Sequence, residues 1–134
     1  MKPKKLLLIT ALLFLIMGAC KDKGSLYETY ENHDISACGV NDPLRNIEWL
    51  AESCRNIKEQ KLECYIYLLK VIDKDEYVFV SSSPLQNEKD HHSVTFRNCS
   101  GDIIWLTANL QHPDVRDFLK DKEYVAELFH LIKQ

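Results

Sequence analysis

Apolar positions along the chain fall into two rhythms. Leu44, Ile47, Leu50, Ala51, Cys54 and Ile57 recur at steps of three and four, the spacing that gathers side chains on one face of an α-helix. Asp42-Pro43 opens that stretch with an N-cap residue and a proline suited to the first helical position, so a helix is expected to end near Glu59. Between residues 62 and 72 the rhythm drops to two. Tyr65, Tyr67, Leu69 and Val71 fall on one face, with Cys64, Ile66 and Leu68 on the other, which predicts a central strand with both faces apolar. Asp73-Lys74-Asp75-Glu76 reads as a turn and residues 77–82 as the returning strand. Residues 83–92, with Pro84, read as a polar loop. A second hairpin is expected from residues 93–98 and 102–107 around Cys99-Ser100-Gly101. Helical spacing then returns. His112-Pro113-Asp114 opens a short segment with Val115, Phe118 and Leu119, and Tyr124, Val125, Leu128, Phe129 and Ile132 predict a final amphipathic helix. The expected fold is α+β: a four-stranded antiparallel β-meander packed with an N-terminal helix and a C-terminal helix, forming one small domain over residues 37–134.

Residues 1–19 do not belong to that domain. Lys2, Lys4 and Lys5 precede an apolar run over residues 6–17 whose one polar member is Thr10, and Gly18-Ala19 lead into Cys20. A basic start, a short apolar centre and small residues before a cut form the layout of an export signal, and the run is too short to span a bilayer comfortably. Met17-Gly18-Ala19-Cys20 resembles the lipobox of bacterial lipoprotein signal peptides, with Met17 where that family usually has leucine. The resemblance implies diacylglyceryl transfer to the Cys20 thiol, cleavage before Cys20 and a membrane anchor. In enterobacterial lipoproteins an aspartate after the cysteine favours inner-membrane retention; Lys21 stands there, so the periplasmic side of the outer membrane is the expected location.

Residues 20–36 carry no sustained period and read as a flexible tether, able to lift the domain about 20 Å from the bilayer; Leu26, Tyr27 and Tyr30 packing back on the domain is the alternative. With Cys20 assigned to lipid, Cys38, Cys54, Cys64 and Cys99 remain. An even number in an oxidising compartment points to two disulfides with three pairings open. A helix reversing into a strand favours Cys54 with Cys64, which leaves Cys38 at the domain entrance to meet Cys99 in the hairpin turn. Their spacing contains no C-x-x-C, against a zinc site.

Charge narrows the function classes. Three of the 17 basic residues fall in the leader and no acidic ones do, so 14 basic residues face 20 acidic ones beyond it, a net of −6. A mildly acidic domain is a poor nucleic acid binder. Trp49 lies off the helical stripe and is the candidate binding residue, with packing inside the domain as the plainer expectation. Asp90-His91-His92 is the one local cluster with metal-ligating side chains, but adjacent residues on a strand point to opposite faces, so it reads as a solvated loop. No G-x-S-x-G elbow, HExxH pair or glycine-rich phosphate loop occurs. No metal, cofactor or catalytic residue is expected.

From Cys38 onward a broader resemblance appears. Cys38-Gly39-Val40, Asp42-Pro43-Leu44 with Asn46, Trp49-Leu50, the tyrosine-rich strand and Asn98-Cys99-Ser100-Gly101 are similar to a group of small lipoproteins of Gram-negative bacteria that carry no assigned activity. Members often have proline where this chain has Glu48, and cysteine where it has His112. The resemblance implies fold and location only. The expected function is a lipid-anchored, non-catalytic binding or accessory module of the cell envelope, holding a protein or a glycan. A structural envelope protein without a discrete ligand, and a small enzyme or metal binder, are the alternatives.

Overall fold

The computed structural model describes residues 26–85 and 88–134, with side chains described for all of these except 88–91. The leader, Cys20 and the tether as far as residue 25 lie outside the described residues. In chain order the elements are β1 (Tyr27–Glu31), β2 (Ser36–Ala37), β3 (Val40–Asn41), α1 (Pro43–Asn46), α2 (Glu48–Gln60), β4 (Cys64–Val71), β5 (Tyr77–Leu85), β6 (Glu88–Arg97), β7 (Ile103–Thr107), α3 (Pro113–Leu119) and β8 (Lys122–Lys133). Six of the strands form one antiparallel sheet in the order β1-β8-β4-β5-β6-β7. β2 and β3 form a separate small hairpin.

The protein is therefore α+β, with β4 to β7 as successive neighbours in the six-stranded sheet and β4 inside it. The four-stranded count is corrected to six. The segment read as a C-terminal helix is β8, and the tether reading over residues 20–36 gives way at Tyr27 to β1. β8 misleads because it is bulged twice. Ile66 faces Phe129 while Tyr67 faces Glu127, and Leu68 faces Ala126 while Leu69 faces Tyr124. Leu128 and Val125 are thus extra residues without a partner on β4, and each turns a step of two into a step of three. Asn32 closes the first bulge from the far side. Its amide donates to the Leu128 carbonyl at 2.8 Å, and its side-chain Nδ2 donates to the Glu127 carbonyl at 3.3 Å.

The loop expected over residues 83–92 is also corrected, since β5 runs on to Leu85 and β6 begins at Glu88. Pro84 faces His92, and the register shifts directly after it. A proline supplies no ladder N–H and is tolerated where pairing is irregular.

The helix expected from Pro43 is broken once. Ile47 is extended, so α1 is a single turn and α2 starts afresh, yet Leu44, Ile47, Leu50 and Cys54 are all buried. Asp42 precedes the helix as expected, but it occupies the left-handed region and its side chain makes no capping bond. Its carboxylate instead holds His33 Nδ1 at 2.8 Å. His33 in turn lies 3.6 Å from Glu31, which pairs with Lys58 at 3.0 Å. Burial opposes ionisation of Glu31, but Lys58 and His33 outweigh it and hold that carboxyl below its usual range. This chain of charges ties β1 to both helices.

Helices lie on both sides of the sheet. One core joins α1 and α2 to Cys64, Ile66, Leu68, Phe79, Leu128, Phe129 and Leu131. The other joins Val115 of α3 to Val78, Val80, Val94 and Phe96. Among the described residues no helix is long and apolar enough to cross a membrane.

Candidate functional site

Strand alternation sends Tyr65, Tyr67 and Leu69 away from α2. Their neighbours on β8 are His130, Glu127 and Tyr124, because the two bulges bring residues spaced by three onto one face. On β5, Ser82 faces Tyr65 and Val80 faces Tyr67. α3 lies over the other half of this face, with Phe118 against Phe96 and Trp105. Seven residues give α3 a length of about 10 Å, while the eight of β4 extend about 26 Å. One short helix cannot cover such a face. A groove of about 730 Å³ stays open beside it, lined by Tyr65, Tyr67, Leu69, Val80, Val94, Phe96, Leu119 and Tyr124, with Ala108 and Leu110 from the connection after β7. Ser82, His92 and Asn109 add polar groups to the lining, and Ser82 Oγ lies 3.3 Å from His92 Nδ1.

The tyrosines belong to a longer aromatic row. Tyr65 and Tyr67 stand parallel with ring centres 6.1 Å apart, and Tyr124 follows Tyr67 at 6.2 Å. In the other direction His130 lies 5.7 Å from Tyr65 and stacks on Tyr30 at 5.3 Å. His130 Nδ1 pairs with the Glu127 carboxylate, and its buried Nε2 has no hydrogen-bond partner among the described residues. Burial pushes the Tyr67 hydroxyl pKa upward, with Glu127 and the neighbouring tyrosines acting in the same direction, so at neutral pH it is an uncharged donor and acceptor. The chemistry open to such a lining is ring stacking and apolar contact, with a few hydrogen-bonding groups beside them. No family model, curated protein or solved structure matches this chain.

Trp49, the candidate binding residue of the sequence, packs inside the domain. Its Nε1 donates to the Cys99 carbonyl at 2.8 Å, and its ring meets Phe79 edge to face at 5.3 Å. It leaves the helical stripe because it serves a different neighbour, the β6–β7 turn. Asn98 Oδ1 shapes that turn by accepting from the Ser100 and Asp102 amides, both at 3.0 Å. Gly101 has φ +88°, and a Cβ there would lie 2.8 Å from the indole. Gly101→Ala is expected to cost about 1–3 kcal/mol through strain and overpacking, read as a lowered thermal midpoint; an unchanged midpoint would count against the close approach.

Cys38 bonds Cys99 as expected, joining the β2–β3 turn to the same β6–β7 turn. The Cys54–Cys64 pairing is corrected, since both are free and buried. Cys54 lies on the helix layer and Cys64 on the sheet. Burial, reinforced by the Glu31 charge, pushes the Cys54 thiol up to about 12; burial also raises Cys64. Both thiols are expected to resist a thiol reagent at about pH 8 until the chain unfolds. The unfolded Cys54 thiol ionises near pH 9.0 and the folded one near 12. Its contribution to stability is therefore complete below the first value and lost as pH rises towards the second. Rapid labelling of both residues in the native protein would contradict their burial.

His92 sits on β6 and lines the groove, while the side chains of Asp90 and His91 lie outside those described. Among the described residues no three ligating side chains converge on a metal position. The tyrosine alternation on β4 was legible in the sequence. The contributions of Tyr124, Asn109 and Leu110 were not, because they depend on β8 being a strand and on where the chain passes after β7.

Proposed function

We propose that this chain is a lipid-anchored, non-catalytic binding module of the cell envelope, attached through Cys20 to the periplasmic side of the outer membrane, and that the tyrosine-lined groove holds its partner. The groove carries this reading. It is open, largely apolar and built on the sheet, and its lining includes few polar side chains. An envelope protein or glycan is the partner class such a surface suits, since both present alternating apolar and hydrogen-bonding groups along an extended chain. Stacking supplies affinity, while Ser82, His92 and Asn109 select orientation.

Capture from detergent-solubilised envelopes tests the reading. The lipidated protein is expected to retain a defined partner, and Tyr67→Ala combined with Tyr124→Ala should weaken that retention at least about tenfold, the effect of losing about 1.4 kcal/mol. Equal retention by the variant, or recovery of bulk envelope material alone, would remove the groove from the account. Cys20→Ser should abolish lipid labelling and release the protein from membranes.

A further inference from the structure

We infer that one end of the domain rests on the lipid surface, through Leu26, Leu62 and Leu85. The inference depends on the Cys20 anchor proposed above and follows from where β1 begins. Strand pairing starts at Tyr27, so six residue steps separate the acylated cysteine from Leu26. However those residues are arranged, they span at most about 21 Å, and a flexible chain of that length averages about 13 Å. The end of the domain that carries Leu26 is therefore kept within about 21 Å of the acylated cysteine.

That end can be identified from the registers. Tyr27 faces Lys133 on β8, and the Gln134 amide donates to the Leu26 carbonyl at 2.8 Å. The Glu63 carboxylate accepts from the Lys133 amide at 2.9 Å, which puts the turn after α2 at the same level. Tyr65 faces Ser82, so Leu85 comes level with Leu62. Three leucines thus lie across neighbouring strands, within about 15 Å of each other, and are 61%, 47% and 36% exposed in chain order. Lys61, Lys133 and Glu63 lie among them.

The opposite end lies about 26 Å away along β4. It carries the charged β4–β5 turn Asp73-Lys74-Asp75-Glu76, with Asp121, itself paired with Lys122 at 2.7 Å, joined to it through the Ile72 amide. Leucine insertion adds apolar burial to the anchor and fixes the domain's orientation.

Fluorescence quenching tests the orientation. The full lipidated protein is placed in phosphatidylethanolamine–phosphatidylglycerol vesicles with brominated acyl chains, carrying Leu62→Trp, Leu85→Trp or Ile72→Trp in turn. Ile72 is exposed at the opposite end and serves as the reference. After subtraction of the native tryptophans, each leucine position should be quenched at least about twofold more than position 72, as expected for residues entering the headgroup boundary. Equal quenching at both ends in protein that floats with the vesicles and bears acyl groups would overturn the docking and leave the anchor standing. Protein that neither floats nor carries acyl groups would overturn both. Equal quenching together with a dimeric mass would show that the leucines meet a second copy instead of lipid.

Discussion

Phe129→Ala is expected to lower the unfolding free energy by about 3–5 kcal/mol, whereas Val125→Ala, four residues earlier, should cost less than about 1 kcal/mol. Both residues belong to the apolar stripe that a helical reading of residues 122–133 would bury together. On β8 they separate. Phe129 is completely buried between β1 and β4 in the α2-side core, while Val125 is the extra residue of a bulge and 37% exposed. Removing a fully buried ring forfeits its transfer free energy and leaves a cavity that the neighbours fill incompletely. The total stability of a domain of this size is about 5–15 kcal/mol, so the Phe129 variant should be marginal or unfolded at 37 °C. Urea titrations with unchanged m-values give both numbers. Similar losses at the two positions would defeat the bulged-strand account.

Replacing both Cys38 and Cys99 with alanine should lower stability by about 4 kcal/mol. The bond links residues 61 apart in sequence, and closing a loop of that length restricts the unfolded chain by about that amount on the loop-entropy relation. The same bond fixes the turn that receives the Trp49 indole. Tryptophan emission should therefore shift on reduction before the sheet unfolds, because the Cys99 carbonyl loses its fixed place. Denaturation followed by circular dichroism, with and without reductant, measures the stability loss. A difference below about 1 kcal/mol would place the bond outside the cooperative unit.

The structure and the sequence agree where short-range periodicity coincides with burial. Leu44, Ile47, Leu50 and Cys54 of the helical stripe are buried across α1 and α2, β4 alternates with both faces apolar, and β4 pairs with β5 and β6 with β7 about the two expected turns. Agreement fails where a period is altered by a partner. Tyr124, Glu127 and His130 share a face at steps of three, which on a helix would also place them together; the sequence pattern admits both structures. β1 failed for another reason. An edge strand is held by one neighbour's backbone groups, so Tyr27–Glu31 needs no apolar alternation of its own, and its polar side chains suit a protected edge.

Local spacing alone marks the apolar faces of α2 and β4, because periodicity within a few residues decides which face of a helix or strand is apolar. Cys38 meets Cys99 across a separation of 61 residues, and no local spacing sets that pairing. That β8 is a strand paired with both β1 and β4, that Cys54 and Cys64 stay apart as thiols, and that a tyrosine groove remains open beside a short helix all follow from long-range packing. Those outcomes depend on backbone hydrogen bonds and contacts between residues up to 106 positions apart, as Tyr27 and Lys133 are. No local pattern records them.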